Sequence, residues 1–216
     1  MNHKLILLFF AQALSCQVYE WTGTNSSIVY KVQKDSNYLI ETVYQINPSK
    51  FLSTRGGFYH YRDGILNLDL EFNSNYTNNS ITQVEYIIPT YAKIVSNIKL
   101  ELNGKWLMGG RINSEGQETR RDISRPRKTL KFLTDGFFQW TAFNTETFQF
   151  YGCGGGKYSA QEGQYEESIE YFSRDDSRSG QTLSFKYEQK NNDWHHTGFS
   201  SKGKPLHEIW TLRRNK

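Results

Sequence analysis

Five groups of residues in this chain have types and spacings that could carry chemistry. The first is basic. Arg111, Arg120, Arg121, Arg125, Arg127, Lys128 and Lys131 fall within one short run, diluted by Glu115, Glu118 and Asp122. A guanidinium presents a fork of donors that matches a carboxylate or sulfate. Pro126 stiffens the chain ahead of Arg127, so Arg127, with Arg111, is the candidate anion contact. The same run also fits a solvated loop. The second group is Trp194-His195-His196, with His207 further on. Neighbouring residues on a strand point to opposite faces, so His195 and His196 cannot both hold one metal from a regular strand. No carboxylate spacing completes a metal-ligand pattern, so no metal is expected. Each histidine remains a candidate hydrogen-bonding group or a structural one.

The third group is acidic: Glu166, Glu167 and Glu170, then Asp175 and Asp176. Paired carboxylates can hydrolyse a glycosidic bond when they face each other across a sugar. Here strict alternation puts Tyr165, Ile169 and Tyr171 on one face and Glu166 and Glu170 on the other, so surface carboxylates are the expectation. The fourth is Gly154-Gly155-Gly156. No Lys-Ser or Lys-Thr follows it and no helix pattern opens after it, so a strand bulge is expected rather than a phosphate loop. The fifth is Cys153, beside those glycines. No base lies near it in sequence, so it is expected to be a small strand residue and not a nucleophile. No catalytic residue and no cofactor is expected.

The elements that must position these residues are strands. Aromatic residues make up 15% of the 216, and such side chains suit a pleated, half-buried surface. Leu66, Leu68, Leu70 and Phe72 alternate with Asn67, Asp69 and Glu71, the period of a strand with one buried face. In the second half, strands are expected over 106–112, 129–133, 137–144, 148–158, 164–172, 182–188, 193–199 and 206–213. Turn signals such as Asp135-Gly136, Glu162-Gly163 and Asn191-Asn192 separate them. No helical period of useful length is present. Consecutive strands joined by tight turns make an antiparallel meander, and this number is the size at which a meander closes into a barrel. Among the aromatics Phe137, Phe138, Trp140, Phe143, Tyr158, Tyr187, Trp194 and Trp210, most fill the core. Trp140 and Tyr158 are the candidates to line a ligand pocket.

The chain also repeats itself. Thr42, Phe51, Gly56, Gly57, Tyr59, Gly64 and Glu71 recur 99 residues later as Thr141, Phe150, Gly155, Gly156, Tyr158, Gly163 and Glu170. This is expected of an internal duplication. The fold class predicted is all-β: two tandem antiparallel meander barrels, with a leader at 1–16, a first repeat at 17–102 and a second at 103–216. A single larger barrel is the alternative.

The leader, MNHKLILLFFAQALSC, has a basic start, an apolar run and small residues, which is the pattern of a secretory signal peptide. Cleavage beside Cys16 would make a lipid on that cysteine the one route to a membrane. With Cys16 removed, Cys153 is alone and no internal disulfide forms. Net charge is +4 and both signs are spread along the chain, which argues against nucleic acid as a partner. Mean hydropathy is −0.70, which argues against an integral membrane protein.

At Gly104-Lys105-Trp106 the sequence resembles lipocalins, which open their first strand with Gly-x-Trp and cover that Trp with an Arg at the barrel's end. The resemblance implies a plug of Gly104, Trp106 and Arg213. The segments PRKTLKFLTDGFFQWTAFNTET, GCGGGKYSAQEGQYEESIEYFSRD and WHHTGFSSKGKPLHEIW are similar to bacterial lipocalin-like proteins of unknown function, known only as membrane or secreted proteins. That likeness covers residues 100–214 strongly and 20–100 weakly. It implies a barrel and an exported location, and no known reaction. The function expected is non-catalytic binding of a small, partly apolar, anionic molecule. A structural or interaction module of the cell envelope, with barrels filled by side chains, is the alternative.

Overall fold

The computed structural model describes residues 16–24, 26–96, 99–200 and 202–214. The leader up to residue 15 lies outside the described residues. The first half carries β1 (Gln17–Thr22), β2 (Ile28–Lys34), β3 (Tyr38–Ile46), β4 (Ser49–Arg62), β5 (Ile65–Asn73), β6 (Gln83–Tyr86) and β7 (Lys93–Ser96), with one short helix, α1 (Tyr76–Asn79). The second half carries β8 (Gly104–Ile112), β9 (Glu118–Arg120), β10 (Arg127–Thr134), β11 (Phe137–Asn144), β12 (Phe150–Gln161), β13 (Gln164–Phe172), β14 (Thr182–Lys190), β15 (Asp193–Phe199) and β16 (Pro205–Leu212). Among the described residues no helix is long and apolar enough to cross a membrane.

The second half closes. Strands β10 to β16 follow one another as antiparallel neighbours, β16 pairs with β8, and β8 pairs back onto β10 through Leu107 and Leu130, Trp106 and Lys131, and Lys105 and Phe132. The result is an eight-stranded barrel, with β9 added outside β8. Tight turns drive the meander. Asp135-Gly136 and Glu162-Gly163 both have positive φ at each central residue, the backbone that matches strand twist in a two-residue hairpin.

The first half corrects the expectation of two barrels. Its order is β6-β5-β4-β3-β2-β1-β7, a seven-stranded sheet whose end strands do not pair with each other among the described residues. One face of this sheet gathers Val32, Leu39, Tyr59, Leu66, Leu68, Leu70 and Tyr86. The other face packs on the outside of the barrel, where Tyr38, Ile40 and Phe72 meet Leu107, Leu130, Phe132 and Phe143.

The two halves meet through equivalent surfaces. Tyr44 packs on Tyr171 with ring centroids 4.8 Å apart, and Phe72 packs on Phe143 at 4.9 Å. The 99-residue offset turns one pair into the other, since Tyr44 corresponds to Phe143 and Phe72 to Tyr171. Phe51 stacks on its own counterpart, Phe150, at 6.1 Å. At the centre, Gln139 accepts from Thr42 (2.5 Å) and Tyr171 (2.7 Å) and donates to Thr54 (3.0 Å). This pattern, in which i touches j and j touches i, is that of a two-fold interface.

The glycine pairs place the acids. Register shifts fall between Gly56 and Gly57 opposite β5, and between Gly155 and Gly156 opposite β13. In each case one extra residue is left on the partner strand: Glu71 in β5 and Glu170 in β13. A bulge breaks the alternation of side chains. Glu71 therefore turns to the interface, where it accepts from Arg213 (2.6 and 2.7 Å) and from the Tyr38 hydroxyl (2.8 Å). Glu170 accepts from Lys31 and from the Tyr44 hydroxyl (3.0 Å). The expectation of solvent carboxylates at Glu71 and Glu170 is corrected accordingly. Tyr171, expected on the face of Tyr165, lies instead on the outer surface with Tyr44 and Cys153.

Candidate ligand cavity in the barrel

Alternation decides what faces inward. On β10 it is Thr129, Lys131 and Leu133, because Leu130 and Phe132 pack outward against the first sheet. On β11 it is Phe138, Trp140 and Ala142, because Gln139 and Phe143 face outward. Within the barrel Thr129, Lys131, Phe138, Trp140 and Ala142 help line an open-mouthed cavity of about 500 Å³. That lies in the ordinary range for a site that buries a small molecule. Part of its wall is apolar and largely aromatic: Phe138, Trp140, Phe172, Leu183, Phe185 and Trp210. Gly154 makes room for this wall, since a Cβ there would crowd both the Trp140 indole and the Phe172 ring.

Arginines stand at one end. Arg111, Arg121, Arg127 and Arg174 all line the cavity, and a neighbouring hollow of about 340 Å³ shares Arg121 and Arg127. The Arg127 guanidinium lies 3.7 Å from the Tyr151 ring centroid, and Arg174 donates twice to the Tyr151 carbonyl, at 2.7 and 2.5 Å. Stacking on an aromatic face holds a cation in place. Burial pushes the Arg127 pKa down, and the Arg174 and Arg121 charges add to that. Among the described residues no acid pairs with Arg121, Arg127 or Arg174. Arg111 differs, because it bonds Glu208 at 3.2 Å.

Charged and polar groups line the inner part. Lys131, 3% exposed, donates to Glu167, 5% exposed, at 2.7 Å. The Tyr165 hydroxyl donates to the same carboxylate at 2.9 Å. The Lys131 ammonium sits 4.9 Å from the Trp210 ring centroid and 5.1 Å from that of Trp194. His196 is 2% exposed and is held between Phe185, at 4.0 Å, and Trp194, at 5.1 Å. Neither of its ring nitrogens has a hydrogen-bond partner among the described residues. Its Nδ1 stands 3.8 Å from Glu208 Oε2, beyond hydrogen-bond reach. Burial, and then the Lys131 charge, push its pKa well below the ordinary value, so this imidazole is neutral at neutral pH.

Of the residues singled out in the sequence, Arg111, Arg127, Trp140 and His196 come together in the cavity. Tyr158 does not line it. Its ring is in the core and its hydroxyl bonds Asn103 at 2.6 Å, at the far end of the barrel. His195 is on the outer face, with Nδ1 3.1 Å from Nε2 of His207. Trp106 packs inside on Trp194 at 5.8 Å and donates to the Leu102 carbonyl at 2.8 Å. Arg213 does not cover it. It turns outward, over Phe58 at 4.7 Å, to hold Glu71. Cys153 is fully buried, and burial raises its thiol pKa, which leaves no thiolate at neutral pH. Lys131 was expected only as part of the basic run and Glu167 as a surface carboxylate; their burial as a pair corrects both, and sequence reasoning missed Arg174 and Glu208 altogether. The signal for Lys131 was its place between Thr129 and Leu133, a charged residue in an inward register.

His196 gives the fold a pH dependence. Its folded pKa lies below that of the unfolded chain, about 6.5, so the unfolded state binds more protons as pH falls. Stability is therefore expected to drop below about pH 6.5, by up to about 1.4 kcal/mol per pH unit, until the folded ring titrates. The groups facing this ring are Lys131, Glu208 and, through the wall, His207, whose own pKa is also lowered, mainly by burial. Urea unfolding of the wild type and of His196→Phe between pH 7 and pH 5 checks this. A pH slope unchanged in the variant would count against it.

Neither a protein-family model nor a curated protein matches the chain. Among solved structures, the chain is similar to a lipocalin-like protein from Bacteroides uniformis ATCC 8492, at 15% identity. The match covers 52% of this chain and 98% of that one, with a TM-score of 0.36. The closed eight-stranded barrel described above stands on its own strand pairings.

Proposed function

We propose that this chain is an exported, non-catalytic binding protein whose barrel holds one small, partly apolar anion. The observation that carries this is the meeting of two features in one cavity. An aromatic wall shelters an apolar body, and three arginines without an acid partner wait at its end for a carboxylate, sulfate or phosphate. Such charge-assisted bonds are roughly twice as strong as neutral ones. The leader supports export. A barrel filled by its own side chains, as an interaction module of the envelope would have, leaves no such volume.

Native mass spectrometry of residues 17–216, followed by denaturation of the same sample, tests the reading. A mass excess lost on denaturation supports it. Saturated fatty acids and bile acids then serve as probes in thermal-shift and calorimetric titrations. Arg127→Ala is expected to weaken binding of such an acid about tenfold, the loss of one charge-assisted contact. A bare mass with no shift by any acid, or an affinity indifferent to Arg127→Ala, would overturn it.

A further inference from the structure

Among the described residues that line the cavity, His196 is a buried side chain whose hydrogen-bonding capacity is wholly unused. Both nitrogens are buried and without partners, although buried polar groups are nearly always satisfied. The ring cannot swing away to find a partner, because Phe185 and Trp194 hold its two sides. Its surroundings restrict what can satisfy it. A neutral imidazole offers one donor and one acceptor. A second carboxylate on the ligand would only accept, and it would meet Glu167 and Glu208 in the same cavity. An ammonium would only donate, and it would meet Lys131. A hydroxyl can donate or accept without bringing a charge, so it can pair with one ring nitrogen in either tautomer. Placed beside the two atoms, it can also bridge His196 Nδ1 and Glu208 Oε2, which stand 3.8 Å apart, too far for a direct bond, by accepting from the ring and donating to the carboxylate.

Resting on the reading of the cavity as an anion-binding site, we infer that the ligand is a hydroxylated amphiphilic acid. Its acid group meets Arg121, Arg127 and Arg174. An apolar body lies along Phe138, Trp140 and Phe172. A hydroxyl remote from the acid bonds His196. The molecule is thus selected at both ends, and a plain fatty acid of the same length is the poorer ligand because it leaves the histidine unpaired.

The test is a calorimetric titration with straight-chain ω-hydroxy acids of graded length, each against the matching unsubstituted fatty acid. The wild type is expected to prefer the hydroxy acid of the fitting length by about tenfold, the worth of one buried hydrogen bond no longer left unmade. His196→Phe should erase that preference while still binding the plain acid. His196→Gln, which keeps a donor and an acceptor, should restore part of it, and serves if the phenylalanine variant does not fold. Arg127→Ala should weaken both acids alike and leave their ratio intact. Equal binding of the two acids by the wild type at every length, or a preference that survives in His196→Phe, overturns the inference and leaves the anion site standing. No binding of either acid to the wild type overturns both.

Discussion

Lys131→Met is expected to lower stability by about 3–5 kcal/mol, because it leaves the Glu167 carboxylate buried without its cation. The Tyr165 hydroxyl remains on that carboxylate, but one neutral donor does not replace an ammonium at 2.7 Å. Glu167→Leu should cost a similar amount for the mirror reason: Lys131 would keep aromatic rings around it, those of Phe138, Tyr165, Trp194 and Trp210, but no carboxylate. The double variant Lys131→Met with Glu167→Leu is expected to lie within about 1 kcal/mol of wild type, since replacing a whole buried pair by apolar groups of similar volume is often close to neutral. Urea unfolding with a full cycle of the four proteins measures this. Additive single-site losses would mean that the two side chains do not act as a pair. The double variant has a second use, because it removes charge from the cavity without touching the arginines.

Gly57→Ala and Gly156→Ala are expected to cost about 3 kcal/mol each, the upper end for forcing an extra carbon into a packed site. At Gly57 a Cβ would overlap the Asp69 carbonyl oxygen, and at Gly156 that of Ser168. Both are backbone atoms of the paired strand, so relief requires moving the strand and not a side chain. Gly180→Ala is the comparison: nothing lies within 4 Å of a Cβ there, though φ is +86°. It should cost only about 1 kcal/mol, from backbone conformation alone. Thermal melts of the three variants decide the matter. Equal losses at all three sites would show that the close approach of the strands at the bulges is not what the glycines serve. In both bulge variants the displaced residue is an interface acid, Glu71 or Glu170, so their hold on Arg213 and Lys31 should weaken with the fold.

The strands of the barrel were legible because they depend on short-range signals. Dipeptides such as Asp135-Gly136 set tight turns, and between them apolar residues alternate. What was not legible depends on partners distant in sequence. Whether a meander closes is decided by the pairing of β8 with β10 in one half and, among the described residues, the lack of an equivalent pairing in the other. No local pattern near Leu107 or Leu130 announces it. The direction of Tyr171 was missed because alternation was carried through Glu170 without the bulge. One extra residue reverses the parity of all that follow, so Phe172 and not Tyr171 faces the cavity. The pairing of Lys131 with Glu167 was missed for another reason. Charged residues are almost never fully buried unless paired, and the pairing joins strands 36 residues apart in sequence. The arginine-rich run was visible. That Arg174 would join it from beyond β13 was not.

The equivalent surfaces through which the halves meet have a consequence for assembly. Two separate chains joined by such a contact would part on dilution, and their stability would depend on protein concentration. Here a short peptide between β7 and β8 makes the encounter intramolecular, at an effective concentration of about millimolar whatever the amount of protein present. The contact therefore needs neither the area nor the affinity of a free dimer. The open sheet acts as a permanent subunit for the barrel, free to diverge in sequence as long as Tyr44, Thr42 and Phe72 keep Tyr171, Gln139 and Phe143 covered.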